Sequence, residues 1–399
     1  MGYRIEVKKT RLFSTQKFIA KKTIILSLFI LLVCSSCYKH IPIGNNNNIC
    51  LANIKSFNNT SGIYFSSPQL TSNGNIVAGN HNGKIMFFNP QGEQINSYKT
   101  NSWVHATPQR VSDSLISLGS YDGNVYFFNN AGDLKKVIRP GGKIFTNLIE
   151  ISKDIVLFGA NNKSIVWYDL RHDIKKVFKT RKLNHGSPTM LSNGEIVIGS
   201  SDRKLYFFDK NFNMLRYYKS GGWIMHSQPV ELSSGNIAFG SYDRCLHIIN
   251  PQGELIQKVK TNGKIHGSPI ETSAQIIAFG SFDGKIYFTD INGEMINTIQ
   301  TDKKIIASPV VLPDGNIVFA SMDRCLYYCS PQGKLLFTSY IGSKVFASPV
   351  ITTSGNIFIA TLDGSVIIVE PEKNSLFINS SINDSIERPL LNIPLNQSF

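Results

Sequence analysis

One short pattern recurs along the 399-residue chain at a nearly constant interval: a small or polar residue followed by proline. It stands at Ser67-Pro68, Thr107-Pro108, Ser187-Pro188, Gln228-Pro229, Ser268-Pro269, Ser308-Pro309 and Ser348-Pro349, with successive prolines 40 or 41 residues apart. The one gap, 80 residues between Pro108 and Pro188, has room for a further unit, and Asn147-Leu148 occupies its slot. Eight units follow. A repeat of this length with no helical pattern inside it is a unit that cannot bury its own faces and must stack on its neighbours.

The interior of one unit says how it stacks. In the sixth, residues 265–304, short β-branched and aromatic runs at 275–280, 285–290 and 294–299 are bounded by Asp283-Gly284 and Asn292-Gly293. Such pairs between such runs read as tight hairpins. Four strands of about five residues with their turns fill about 40 residues. The chain therefore reads as all-β, an eight-bladed β-propeller of four-stranded antiparallel blades over residues 63–382. The blades are expected to begin near Ser67, Thr107, Asn147, Ser187, Gln228, Ser268, Ser308 and Ser348. The third unit, with Asn161-Asn162-Lys163 at its first turn and no proline, is the degenerate one. An aspartate recurs at that turn in six units, where its side chain can bond its own backbone two residues on, so a structural role is expected rather than catalysis. Aromatic runs on the third strand, such as Phe87-Phe88 and Tyr206-Phe207-Phe208, are expected to fill the wedge between blades.

The ends read differently. Residues 1–36 begin with a basic leader, and 24–33 are apolar except for Ser27. That run is too short for a membrane helix of about 20 residues, but suits the core of a secretory signal. Ser35-Ser36-Cys37 then resembles a bacterial lipobox, with Cys37 as the lipid acceptor. Residues 37–62 read as a tether and N-terminal strand, and 383–399 as a loose tail. Residues 375–379 stand in register as the outer strand of blade eight. They are expected to close that blade, with the strand-like stretch 51–57 added outside or beside them. Residues 1–36 hold seven basic side chains and one acid, so +8 of the chain's net +14 remains after the leader. That excess favours acidic partners or anionic surfaces, and no nucleic-acid motif accompanies it. The six cysteines form no disulfide framework: Cys245 and Cys325 are two blades apart, and Cys325 and Cys329 lie about 13 Å apart on one strand.

Repeats such as Gly119-Ser120-Tyr121-Asp122-Gly123-Asn124-Val125-Tyr126-Phe127 and Gly280-Ser281-Phe282-Asp283-Gly284-Lys285-Ile286-Tyr287-Phe288 resemble pyrroloquinoline-quinone (PQQ)-type propeller repeats. Behind a lipoprotein signal, an eight-bladed propeller of this length resembles the BamB-type subunits of the outer-membrane β-barrel assembly machinery. That resemblance implies a non-enzymatic, monomeric scaffold, secreted across the inner membrane and held to the outer membrane by a lipid anchor, on its periplasmic or surface side. Its partner would be another envelope protein, such as a barrel-assembly subunit, bound through loops on one face. The other reading is a surface or periplasmic propeller binding a protein or a glycan. A quinone-dependent dehydrogenase would resemble the chain in repeat type. It would need a Ca²⁺ site of oxygen ligands and, in many members, adjacent cysteines, and no two cysteines here are adjacent. No cofactor is expected.

One face draws the candidate residues together. Connections between blades and the first turns join strands at the same end of each blade. This brings Arg203, Arg244 and Arg324 in the turns onto one side with Lys143, Lys264, Lys304 and Lys344 in the connections. Three residues before the proline, one slot holds His105, His185, His226 and His266, with Phe65, Phe145, Ile306 and Phe346 in the other units. These histidines either contact a partner, with the cations, or fill a half-buried slot. A shared metal is a third reading. An eight-bladed ring is expected to hold the four too far apart to converge, leaving only His226 and His266 near enough to share an ion.

Overall fold

The apolar runs of each repeat are too short to bury both faces alone, and the structure places them back to back. The computed structural model describes residues 53–58, 66–112 and 114–370. Within them, eight four-stranded antiparallel sheets follow one another in chain order. The first blade runs from an inner strand Gln69–Leu70 through Ile76–Gly79 and Lys84–Phe88 to an outer strand Gln94–Lys99. The other inner strands begin at Gln109, Ile149, Pro188, Val230, Ile270, Val310 and Val350, each one or two residues after its expected marker. The signal segment, Cys37, the tether, Phe65 and the tail all lie outside the described residues.

The two middle strands of each blade are buried on both faces. Phe87, Phe127, Phe158, Phe207, Phe239 and Phe288 have no exposed surface. Burying a phenylalanine fully contributes about 1.5–3 kcal/mol, and here the rings work in the wedges as expected. Phe87 meets Phe128 of the next blade edge-on at 5.5 Å, and Phe288 meets Phe319 at 5.9 Å. Cys325 and Cys329 are buried free thiols and Cys245 is a half-buried one.

Closure corrects the sequence reading. The outer strand of the eighth blade is Asn53–Asn58, paired antiparallel with Ser365–Glu370 over six residues, from Asn53 opposite Glu370 to Asn58 opposite Ser365. The outer edge of Ser365–Glu370 offers one row of N–H and C=O groups, and the N-terminal strand takes all of it. No place is left there for 375–379, which lie outside the described residues. The first and last described strands thus share one blade, and Phe88 packs on Phe358 at 5.4 Å across the seam.

The serine of the Ser-Pro marker has a specific task. Its Oγ accepts the backbone N–H of the matching residue one blade earlier: Gln228 to Ser268 at 2.9 Å, Ser268 to Ser308 at 2.8 Å, and Ser308 to Ser348 at 2.8 Å. The N–H of Ser348 then donates to Ser67 at 2.9 Å and carries the chain of bonds across the seam. The proline that follows has no N–H to leave unpaired beside the channel.

A glycine ending the second strand sets the distance between blades. A Cβ on Gly280 would lie 2.1 Å from Cγ2 of Ile305 in the next connection, and one on Gly240 2.3 Å from Ile265. Blade seven carries Ala320 in this slot and packs it in one cluster with the smaller Val345. We expect Gly280→Ala to lower stability by about 1–3 kcal/mol through overpacking. Adding Ile305→Val should restore part of the loss, which denaturant unfolding of the two single variants and the pair will read as a coupling energy.

Candidate functional site

The first turns and the connections between blades emerge on the same face, and one carboxylate joins them. Oδ1 of Asp283 accepts the N–H of Lys285 at 3.0 Å, while its Oδ2 accepts the Tyr287 hydroxyl at 2.8 Å and the N–H of Asn262 in the incoming connection at 2.8 Å. Asp122, Asp202 and Asp323 repeat the pattern with Tyr126, Tyr206 and Tyr327, and accept the N–H of Asn101, Arg181 and Asp302. In blade five, fully buried His247 replaces the tyrosine: Nε2 lies 2.9 Å from Asp243 and Nδ1 2.9 Å from the Tyr218 hydroxyl. Burial pushes the Asp243 carboxyl up, but the hydrogen bond and charge of His247 outweigh it and hold the group at about 2. Burial, then the bonded carboxylate, push the Tyr206 and Tyr287 hydroxyls up. These aspartates are fully engaged in holding the turn, as their turn chemistry implied.

Arg203, Arg244, Arg324, Lys143, Lys264, Lys304 and Lys344 are all exposed, and all are on this face. The arginines carry a feature that the sequence did not announce. Their φ angles are 72°, 69° and 75°, in the left-handed region, and Lys163 of blade three joins them at 63°. The same turn position holds Gly83, Gly123, Gly284 and Gly364 in the other blades. Four turns thus carry a cation where the backbone favours glycine, at a cost of about 1–2 kcal/mol each.

The lysine slot of the connections also holds residues that sequence reasoning passed over. Trp103, Leu183 and Trp223 stand where the other blades have Lys143, Lys264, Lys304 and Lys344, and they are 48%, 37% and 43% exposed. Trp103 stacks on His81 at 4.5 Å, and Trp223 lies over Tyr242. Lys264 stands 4.8 Å from the centre of Tyr242, and Lys304 5.3 Å from that of Phe282. Exposed Arg181 and Lys182 add to the positive charge beside Leu183. Aligning the connections by their prolines would have put Trp103 in the lysine slot, and Trp223 one residue before it because of the longer unit that ends at Pro229.

The four histidines converge, against expectation. His226 stacks on His266 at 4.4 Å, and lies 5.8 Å from His185 and 5.9 Å from His105. Phe145 covers His185 at 4.2 Å, and Phe346 meets His266 at 5.2 Å. The physical reason is one residue: the unit before Pro229 is 41 residues long. The extra residue is absorbed by a left-handed backbone at His226, φ 63°, whose N–H donates to the carbonyl of His185 at 3.0 Å. The ring of His226 is thereby carried across the channel mouth to meet His185 and His266 of the adjacent units and His105 three units away. Among the described residues no group of three or more His, Cys, Asp or Glu side chains is arranged to hold a metal ion. The close His226–His266 pair is stacked, with 16° between the planes.

No protein-family model and no curated protein matches the sequence. The structure is similar to the crystal structure of BamB from Moraxella catarrhalis, with a TM-score of 0.67 and 14% sequence identity, over 80% of this chain and 100% of that one. The chain is thus a BamB-like eight-bladed propeller in architecture, and at that identity the likeness carries the fold alone.

The histidine cluster has a consequence for stability. Burial, then the neighbouring imidazoles, bring His105 from 6.5 down to about 3 and put His226 well below 6.5. Burial brings His185 and His266 to about 4. Unfolded imidazoles take protons near 6.5, and the folded ones stay neutral until the pH is far lower. Stability is therefore complete above pH 6.5 and falls as the pH drops from there toward 4. Urea unfolding across that range should show unfolding coupled to the uptake of several protons. The double variant His185→Phe, His266→Phe, which copies Phe145 and Phe346, should flatten the acid limb by about two protons.

Proposed function

We propose that the chain is a non-enzymatic scaffold whose connection face binds another envelope protein, in a BamB-like role in outer-membrane β-barrel assembly. The observation that carries this reading is the retention of Arg203, Arg244, Arg324 and Lys163 in left-handed turns where the sister blades use glycine. Strain of that kind persists where a function needs the side chain. The partner is acidic where it meets the cations and apolar where it meets Trp103, Leu183 and Trp223. Exposed tryptophans and arginines are the residue types that dominate binding energy at protein interfaces. The turn aspartates of this face are engaged in its turns, whereas Glu93, Glu254, Glu294 and Asp209 stand in the second turns. This face thus presents exposed cations whose charge its turn carboxylates do not face outward to offset. The basic leader and Ser35-Ser36-Cys37 support export and lipid attachment at Cys37.

Affinity capture from envelope extracts with the mature chain tests the reading, and barrel-assembly subunits are the expected catch. Binding of the captured partner should weaken as salt rises, since exposed charges are screened within about 8 Å at physiological ionic strength. Arg203→Glu, Arg244→Glu, Arg324→Glu should abolish that salt dependence along with most of the affinity, with circular dichroism unchanged. Trp223→Ala should cost about tenfold or more at any salt concentration. Unaltered binding by the folded triple variant at low salt would remove this face from consideration.

Two further outcomes separate anchoring and strain from docking. Cys37→Ala should release the protein from membranes and end fatty-acid labelling. Arg244→Gly should raise stability by about 1 kcal/mol, because glycine relieves the left-handed turn, while weakening partner binding.

A further inference from the structure

The channel holds a cavity of about 520 Å³, lined by the four histidines and by inner-strand residues as far as Val311 and Ile351. Its chemistry is unusual for a propeller axis between two charged faces. Among its lining residues there is no Asp, Glu, Lys or Arg. A charged ligand entering it would lose its water and meet no counter-charge, which is costly. The wall is nevertheless polar. Ser67, Ser268, Ser308 and Ser348 line it, and each Oγ already accepts a backbone N–H from the neighbouring blade. No acceptor among the described residues takes the hydroxyl hydrogens of these four serines, so they are donors available to the cavity.

The wall also holds an unpartnered acceptor. His185 is 8% exposed and lines the same cavity. Its Nε2 lies 3.3 Å from the side-chain oxygen of Asn161, which can only accept, so the proton sits on Nε2. That leaves Nδ1 with a lone pair, and this buried atom has no hydrogen-bond partner among the described residues. Buried polar atoms of folded proteins nearly always have a partner. The roof adds apolar surface: Phe145 and Phe346 line the cavity with Ile306 beside the neutral imidazoles.

A row of hydroxyl donors, a buried nitrogen acceptor, an aromatic roof and no charge together specify a ligand. It must both donate and accept hydrogen bonds, carry an apolar C–H face and be uncharged. We propose that the channel is a binding site for a neutral saccharide of one or two rings, with its hydroxyls on the serine row and His185 Nδ1 and its C–H face against Phe145 and Phe346. The volume lies within the usual range for small-molecule sites, about 300–1,000 Å³. The site is independent of the docking face, since none of Arg203, Arg244, Arg324, Trp103 or Trp223 lines it.

Saturation-transfer NMR on the purified protein, with the aromatic protons irradiated, tests the proposal with glucose, N-acetylglucosamine, maltose and trehalose as probes. Glucosamine and glucuronate serve as charged counterparts. At least one neutral sugar should receive saturation on its ring C–H protons. Calorimetric affinity for that sugar should exceed that for the charged counterparts by about tenfold or more, and His185→Phe should weaken it by about tenfold, as loss of one buried hydrogen bond does. Thr107→Leu, which narrows the cavity, should weaken the same sugar and supplies the readout if His185→Phe does not fold. The proposal fails if no neutral sugar in the set receives saturation at millimolar concentration. It also fails if the charged sugars bind equally well, or if the folded variants bind the sugar unchanged.

Discussion

The ring depends on a single repeated interaction: a turn carboxylate that bonds its own hairpin and the chain arriving from the blade before it. Asp283 shows it fully, holding the N–H of Lys285, the hydroxyl of Tyr287 and the N–H of Asn262. A hairpin turn and the connection beside it would otherwise each leave backbone donors at a water-exposed edge. One side chain satisfies both and fixes the angle between blades. In blade five, where His247 replaces the tyrosine, the carboxylate finds a buried donor at the same spacing.

Around this scaffold the symmetry is broken at particular slots. Left-handed turn positions alternate between glycine and cations, the connection slot between lysine and exposed tryptophan or leucine, and the mouth slot between histidine, phenylalanine and isoleucine. The inter-blade contacts hardly notice these exchanges, because all three slots point to solvent or to the channel. The structural roles fall on Gly280 and its equivalents, the Ser-Pro hydroxyls and the turn aspartates. Recognition is thus free to vary over an invariant ring, as on other scaffolds where loops carry the binding residues.

The two candidate surfaces obey opposite electrostatics. The connection face keeps its cations in water, where a partner can reach them and salt can screen them. The channel a few residues away excludes every formal charge and holds its histidines neutral by burial. One extra residue before Pro229 separates the two environments, since it carries the His226 ring across the mouth to stack on His266.

Much of the architecture was legible in the sequence because it is local. The 40-residue period, the Asp-Gly and Asp-Arg turns and the aromatic third strands each act within one unit, so eight four-stranded blades and the common side of the cations could be read from spacing alone. What only the tertiary structure decided is what passes between distant units. The outer strand of blade eight came from Asn53–Asn58 rather than from 375–379, because strand pairing at a seam is a competition for one edge, and both segments are strand-like. The convergence of His105, His185, His226 and His266 was hidden because regular spacing puts equivalent residues on a wide circle. A one-residue insertion with a left-handed φ has no local signature that distinguishes a bulge at the rim from a ring carried to the axis. The strain at Arg203, Arg244 and Arg324 was hidden for a related reason: sequence shows that glycine has been replaced, but only the backbone shows that the turn did not change to accommodate it.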